Sequence, residues 1–445
     1  ITETPEQTIT ETPEQTINET PVTKSSTEPD SIVPKITSKQ IDTLLKSDVF
    51  SATVSNDTNA VAATMKVETP MMFAVSAAPA APALTALTPI TQIYTVQDLL
   101  DFQKDVNSGT NYSGTTVYLN DDIDMTGVTW TEAIGSWNYV FSGIFDGKNH
   151  TISNLTFSGY QQGLFGTVDG VGAAVKNLVV ENVNFSYASH NVGGAINNLV
   201  NGASASNITV KNANISPNSD YITSVGGIVG KIDNGTIDNC TAINPTVVGI
   251  SGYYDVYSGG AVGYINNGTA SNITVSGGKV SSKVNQRKES FTGGVVGRAE
   301  SSTIKNCENS AELTSGYYDV GGIVGYMNNS NVENSKNTGS VSGQDSAGGI
   351  VGEMYNSTVE NSENSADISS KMYEVGGIAG YMKSSKVLNS INSGDISGNR
   401  RVGGITGVVA GSGCIITNNT NSGDVEAIEY VGGIIGEHND VYATV

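Results

Sequence analysis

Along the second half of the chain, apolar and polar positions alternate in short bursts instead of at helical spacing. A burst such as VGGIVGYM from Val320 is followed by a polar turn, then NVENSKN from Asn331, then GSVSG from Gly339. Period-two alternation rich in Val and Ile, bounded by Gly, Asn and Ser, predicts strands. The first burst recurs as AGGIVGEM from Ala347, VGGIAGYM from Val375, VGGITGVV from Val402 and VGGIIGEH from Val431. More divergent copies start at Ser224, Ser258 and Thr292. The closing glycines at 230, 263, 297, 325, 352, 380, 407 and 436 are 33 to 34 residues apart early on and 27 to 29 later. A fixed period of this size means a solenoid, an array or a propeller.

Between the glycine bursts an Asn follows an apolar-x pair at each step: Asn154, Asn177, Asn207, Asn239, Asn272, Asn306, Asn334, Asn361, Asn389 and Asn418. Strands of successive coils stack about 4.8 Å apart, so equivalent side chains lie over one another and their amides can hydrogen-bond in a column. An asparagine ladder is the expected product. The next position runs Leu155, Leu178, Ile208, Cys240, Ile273, Cys307, Ser335, Ser362, Ser390 and Asn419, which reads as an inward column that narrows toward the C-terminus. A propeller blade would need a longer repeat, and paired glycines with β-branched residues are poor helix material. The expected fold is therefore all-β: a right-handed parallel β-helix of about ten coils, three short strands to each, roughly 45 to 50 Å long.

The array needs a cover at its N-terminal end. TVQDLLDFQKDVNSG supplies Thr95 as N-cap, Asp98 three residues on, an apolar face of Leu99, Leu100, Phe102 and Val106, and Gly109 as terminator. This predicts a capping helix over 95–108, assisted by Trp130 and Trp137 and by the apolar coils around them. Before it the backbone chemistry changes. Nine of eleven prolines lie in the first 89 residues, and the first glycine is Gly109. The opening tandem ITETPEQT and the Thr/Ser/Ala-rich stretch after it read as an extended arm, of which QIDTLLKSDVF (40–50) and PMMFAV (70–75) are the segments able to pack on a neighbouring surface. The expected division is an arm or linker at 1–88, a cap at 89–150 and repeats at 151–445.

Charge and composition narrow the partners. Lys and Arg number 22 against 43 Asp and Glu, a net charge of 22 − 43 = −21, which argues against nucleic acid. No apolar run reaches the roughly 20 residues of a membrane helix, so no membrane span is expected. The chain opens at Ile1 without a charged leader and apolar core, and runs only nine residues beyond Gly436 without an evident closing cap. We therefore expect a mature chain or fragment, with more protein beyond it.

The GG-I/V-x-G-Y/x burst with an NSxNxGxV element behind it resembles the GLUG repeat of bacterial surface proteins. That repeat also occurs in the region preceding the protease domain of IgA-specific metalloendopeptidases. FSGIFDGKNHTISNLTFSGYQQGLFG resembles the opening coils of many secreted right-handed β-helix proteins. The similarity spans roughly residues 93 to 445 and implies a surface or secreted setting and an adhesin-like stalk or binding surface. The metalloendopeptidase's His-Glu-x-x-His helix has no counterpart, since His150, His190 and His438 stand singly.

Candidate sites follow from these columns. Cys240 and Cys307 fall two coils apart, too far for a disulfide, and read as buried thiols. The turn of Asn120, Asp121, Asp122 and Asp124 could gather oxygens around calcium, but reads first as a solvated turn. Carboxylates recur singly, as at Asp319, Glu374 and Glu429, which suits a scaffold better than an active site. No catalytic residue, metal or cofactor is expected. The turn before the glycine burst reads Tyr318, Asp345, Tyr373, Arg400 and Glu429, with SGYYDV containing Tyr254 at an earlier copy; a second column holds Tyr264, Tyr326 and Tyr381. Tyr318, Tyr373, Asp345, Arg400 and Tyr254 are thus the candidate ligand residues, their rings suited to stacking on sugars.

The expected function is an extracellular or cell-surface stalk, scaffold or fibre component and not an enzyme. A carbohydrate-binding surface is the first alternative and a polysaccharide-cleaving β-helix, of the pectin-lyase-like kind, the second. Expected partners are a host or cell-surface glycan or protein, or further copies joined through the arm or the solenoid ends.

Overall fold

The computed structural model describes residues 89–439 apart from 137, 187–189, 218–220, 222 and 285–287, and the side chains of 158–162 are likewise outside the description. The arm, with the patches at 40–50 and 70–75, and Trp137 therefore lie outside the described residues. What remains is a parallel β-solenoid of about 11 turns with one short helix.

The register repeats as the sequence spacing dictates. Val324 pairs with Val351, Val351 with Ala379 and Ala379 with Thr406, each one coil on. In the same strands Met327, Met354, Met382 and Val409 stack in a fully buried column. Each such side chain taken out of water contributes about 1.5–3 kcal/mol, and a coil can bury it only against its two neighbours. A later coil follows the expected three faces: Val320–Gly321 with Val324–Asn328, then Asn331–Glu333 with Lys336–Asn337, then Val341–Gly343. The column after the ladder Asn points inward, with Leu155, Ile208, Cys240, Ile273 and Cys307 fully buried and giving way to buried Ser335, Ser362 and Ser390.

The helix spans Val96–Asn107 and carries a complete capping box. The Thr95 side chain accepts from the Asp98 amide at 3.2 Å, and Asp98 Oδ2 accepts from the Thr95 amide at 2.9 Å. Its buried residues Leu99, Phe102 and Val106 lie at 3- and 4-residue steps. Phe102 meets Tyr112, Phe141 and Phe145 with ring centroids 5.1, 5.7 and 6.0 Å away, so large rings fill the open end of the first coils. Trp130 is fully buried and donates to the Gly163 carbonyl at 3.2 Å.

The asparagine columns differ from expectation in an informative way. All ten ladder residues adopt a left-handed backbone, with φ between 48° for Asn334 and 60° for Asn154. Asn tolerates that region better than most side chains, so a corner of each coil selects it before any side-chain bond forms. The outer amide column exists but is interrupted. Asn207 donates to Asn177 at 2.8 Å and Asn239 to Asn207 at 2.7 Å, whereas Asn272 donates to Asp238 and Asn389 to Glu360 instead of to the preceding Asn.

The continuous ladder lies inside, three residues further on. Asn309 donates to Asn337, Asn337 to Asn364, Asn364 to Asn392 and Asn392 to Asn421, all at 2.7–2.8 Å. Each also donates to the carbonyl two residues ahead, as Asn337 does to Gly339 at 3.0 Å. Asn309, Asn337, Asn364 and Asn392 are buried. The second glycine of the pair is required first by the next coil's backbone and then by this column: a Cβ on Gly322 would be driven into the Gly349 carbonyl oxygen and the Asn337 amide, and Gly227 and Gly260 meet the equivalent carbonyl where no inner Asn is present. A parallel serine column runs beside it, with the Ser335 amide donating to Ser362 Oγ and the Ser362 amide to Ser390 Oγ, both at 3.2 Å.

Candidate functional site

The position following the burst's closing Gly points outward, and the register stacks it coil by coil. It reads Lys231, Tyr264, Arg298, Tyr326, Glu353 and Tyr381. Two residues on, Tyr355 continues the aromatic surface. Beside this column, the position two residues before the first glycine of each pair changes from Tyr257 and Phe291, whose rings pack against Tyr264 and Tyr326, to Asp319. A groove of about 500 Å³ opens between these columns, with Glu289, Asp319, Asp345, Glu353 and Glu374 among its walls.

Its aromatic wall is a row. Phe291 and Tyr326 have centroids 4.8 Å apart, Tyr326 and Tyr355 5.7 Å, and Tyr355 and Tyr381 5.8 Å. At one end the Arg298 guanidinium lies over Tyr257 and Tyr326, 5.1 and 4.8 Å from their centroids, and pairs with Glu300 at 2.7 Å. At the other end Arg401 pairs with Glu374 at 2.7 Å. Both cations are thus committed to carboxylates.

Burial raises the Asp319 carboxyl well above the usual range, reinforced by the charge of Glu353 and a hydrogen bond to it. A carboxyl that is 3% exposed beside a second carboxylate has its charged form disfavoured on both counts. Asp345 is pushed up to about 6, first by burial and then by Glu374 and Glu353. Burial also lifts Glu289, with Asp255 adding to it, and raises Tyr326 to about 12. Tyr355 hydrogen-bonds through its hydroxyl to Glu353.

Of the five candidate ligand residues, the structure brings two into this groove: Tyr318 and Asp345. Tyr373 is 36% exposed on a turn. Arg400 pairs with Glu429 at 2.9 Å and covers the Tyr430 ring at 5.6 Å. Tyr254 sits further back along the solenoid with Tyr221 6.2 Å away. The sequence treats Asp319 and Glu374 as isolated repeats of one acid; folding sets them with Glu289, Asp345 and Glu353 around one groove. Glu289, Glu353 and Tyr355 were not among the candidates, although a charged residue replacing Tyr in the column of Tyr326 and Tyr381 is the sign that would have marked Glu353.

The remaining candidates have structural roles. Asp122 accepts from the Thr151 amide at 2.8 Å, and Asp124 accepts from the Thr126 amide and from Asn154 Nδ2, so the acidic turn spends its oxygens on its own backbone and neighbours. No group of three or more His, Cys, Asp or Glu among the described residues is arranged to hold a metal ion. Cys240, Cys307 and Cys414 are free and buried, and burial pushes the Cys240 and Cys307 thiols up to about 12.

Fold and surface together define a parallel β-solenoid assembled from glycine-paired repeats. The GLUG motif matches at residues 222–248 and 316–342, two windows that each carry one burst and the strands after it. The chain carries GLUG repeats. Among solved structures, a Bacteroides ovatus protein provisionally named an immunoglobulin A1 protease is 22% identical, over 54% of this chain and 74% of that one, with a TM-score of 0.37. A structure named IgA1 protease is 17% identical over 75% of this chain, with a TM-score of 0.31; the alignment spans 21% of that protein. Neither likeness is close enough to carry an argument. No curated protein matches the sequence.

Proposed function

We propose that this chain is an extracellular or cell-surface scaffold, a stiff adhesin-like stalk or fibre component that holds its flanks out for contact, with residues 1–88 as its linking arm. The observation that supports this reading is the unbroken inner column from Asn309 to Asn421, which locks five successive coils to one another by the same bond. A solenoid gains stability from every added neighbour and needs no cofactor to stay folded. The GLUG repeats support the setting, and the net charge of −21 suits a soluble surface that avoids nucleic acid. No helix among the described residues is long and apolar enough to cross a membrane. The same coil-by-coil repetition favours presentation over catalysis.

Trypsin treatment of intact cells of the producing organism tests the placement. Loss of the full-length chain while a cytoplasmic marker survives is the expected result. Complete protection in intact cells, with digestion only after lysis, overturns it.

A further inference from the structure

The groove between Arg298 and Arg401 offers two kinds of contact at the repeat of the coils. Rings of Tyr326, Tyr355 and Tyr381 form a row along the solenoid, and the Glu353 carboxylate stands in register between Tyr326 and Tyr381. Asp345 and Glu374 line the same cavity of about 500 Å³. A sugar ring has one apolar C–H face that packs on an aromatic ring and an equatorial rim of hydroxyls that donate to carboxylates, so a chain of sugars meets both contacts in turn. The charge settles which sugars fit. Arg298 is occupied by Glu300 and Arg401 by Glu374, so no free cation among the described lining residues is left for an acid group. Uronate or sialate carboxyls would face carboxylates in a partly desolvated groove, a costly arrangement.

We propose that this groove binds an oligosaccharide of neutral or amino sugars lying along the solenoid beyond the Tyr326 ring that Arg298 covers, stacked on Tyr355 and Tyr381, with hydroxyl or ammonium groups donating to Glu353, Asp345 and Glu374. The site differs from a set of exposed tyrosine turns: Tyr254 and Tyr373 play no part in it. The inference deepens the surface-scaffold reading by naming what the flank holds, and it rests on that reading for access to external glycans. Its test on purified protein is independent of where the chain resides.

The full chain is probed by calorimetric titration with cello-oligosaccharide, chitosan oligosaccharide and oligogalacturonate of matched length. Binding of the neutral or amino oligomer, with none of the oligogalacturonate, is expected. Tyr355→Ala and Glu353→Gln should each weaken it about tenfold, equivalent to about 1.4 kcal/mol, and Tyr254→Ala should leave it unchanged. Glu353→Gln keeps shape and volume, so it reports on the groove even where Tyr355→Ala disturbs folding; both are checked by thermal melting. The proposal falls if none of the three oligomers binds, if oligogalacturonate binds best, or if groove variants with unaltered melting bind like the parent. Trypsin-sensitive display on cells without oligomer binding would remove this inference and leave the scaffold reading standing.

Discussion

Asn337 and Asn364 stand one coil apart in the sealed interior, the Nδ2 of the first donating to the Oδ1 of the second at 2.8 Å. Only three residues before Asn337, Asn334 stands at an exposed corner with φ 48°. Two asparagines of one repeat are therefore held by unrelated requirements, one by buried amide bonding and the other by backbone conformation.

Substitution separates the two. Asn337→Ala leaves the Asn309 amide and the Asn364 carbonyl without their partner, and each unsatisfied buried group costs about 1–3 kcal/mol. Asn334→Gly relieves the left-handed corner and gives up one exposed bond of 3.4 Å to Asn306. Urea unfolding should show a clear drop in midpoint for Asn337→Ala and a change within about 0.5 kcal/mol for Asn334→Gly. Equal losses would contradict the assignment.

Gly322→Ala tests the close approach of the glycine pair to the next coil's backbone and the inner ladder. Its added methyl has to displace the Gly349 backbone, and neighbouring coils on both sides resist the shift. We expect an overpacking loss of at least about 1–3 kcal/mol, read as a lower melting temperature or as failure to accumulate soluble protein. Wild-type melting would show that the pair is not required by packing.

The groove carboxyls set a pH dependence with a definite sign. Asp345 has a folded-state value raised from 3.8 to about 6, so its stabilising contribution is fully present below about pH 3.8 and is lost as pH rises through about 6. Asp319 is raised too and acts in the same sense. Asp98, Asp122, Asp124 and Asp146 are lowered and act in the opposite sense, losing their contribution in acid. The difference between parent and Asp345→Asn isolates the one group. The variant should gain relative to the parent between pH 4 and 7 in urea titrations, with no relative gain below pH 4. A constant difference across the range would refute the raised carboxyl.

The thiols give a simpler check. Cys240 is fully buried, with its thiol donating a hydrogen bond to the Asp238 carbonyl and its sulfur accepting one from the Ile208 amide, and Cys307 is equally enclosed. Ellman's reagent should react with none of the three cysteines on a timescale of minutes in the folded chain and with all three in denaturant. Rapid labelling of the native protein would show that these coils open locally.

At the helix, Thr95→Ala removes the oxygen that receives the Asp98 amide and should cost about 1 kcal/mol, seen as earlier exchange of the amide protons over the helix. Protection equal to the parent's would mean that packing of Phe102 alone holds the cap.

Much of the architecture could be read from the residues because a solenoid writes its geometry once per coil. The glycine bursts gave the period, the column from Leu155 to Ser390 gave the inward face, and Thr95, Asp98 and Gly109 gave the helix limits. The Asn column was legible as a column, but its cause was not. Amide stacking and a left-handed corner both select Asn, and spacing alone does not divide them. The inner ladder had a signal in the short NTG, NSA and NSG runs after each corner, where an Asn bonds the carbonyl two residues ahead. The groove was harder to foresee. Asp319, Asp345 and Glu353 come from two different windings, and only the lateral offset between columns shows that they share one space.

The inner amides all point the same way, each passing its donor to the following winding. Such a column has no midpoint and no preferred length, so a complete winding can be duplicated or deleted and the bonds on either side will rejoin. A gain or loss of part of a winding would instead bring an aliphatic side chain against an unmatched amide. The gene can thus lengthen or shorten the protein in whole repeats of about 28 residues, as seen between the closing glycines from 297 to 436, while leaving its cross-section unchanged.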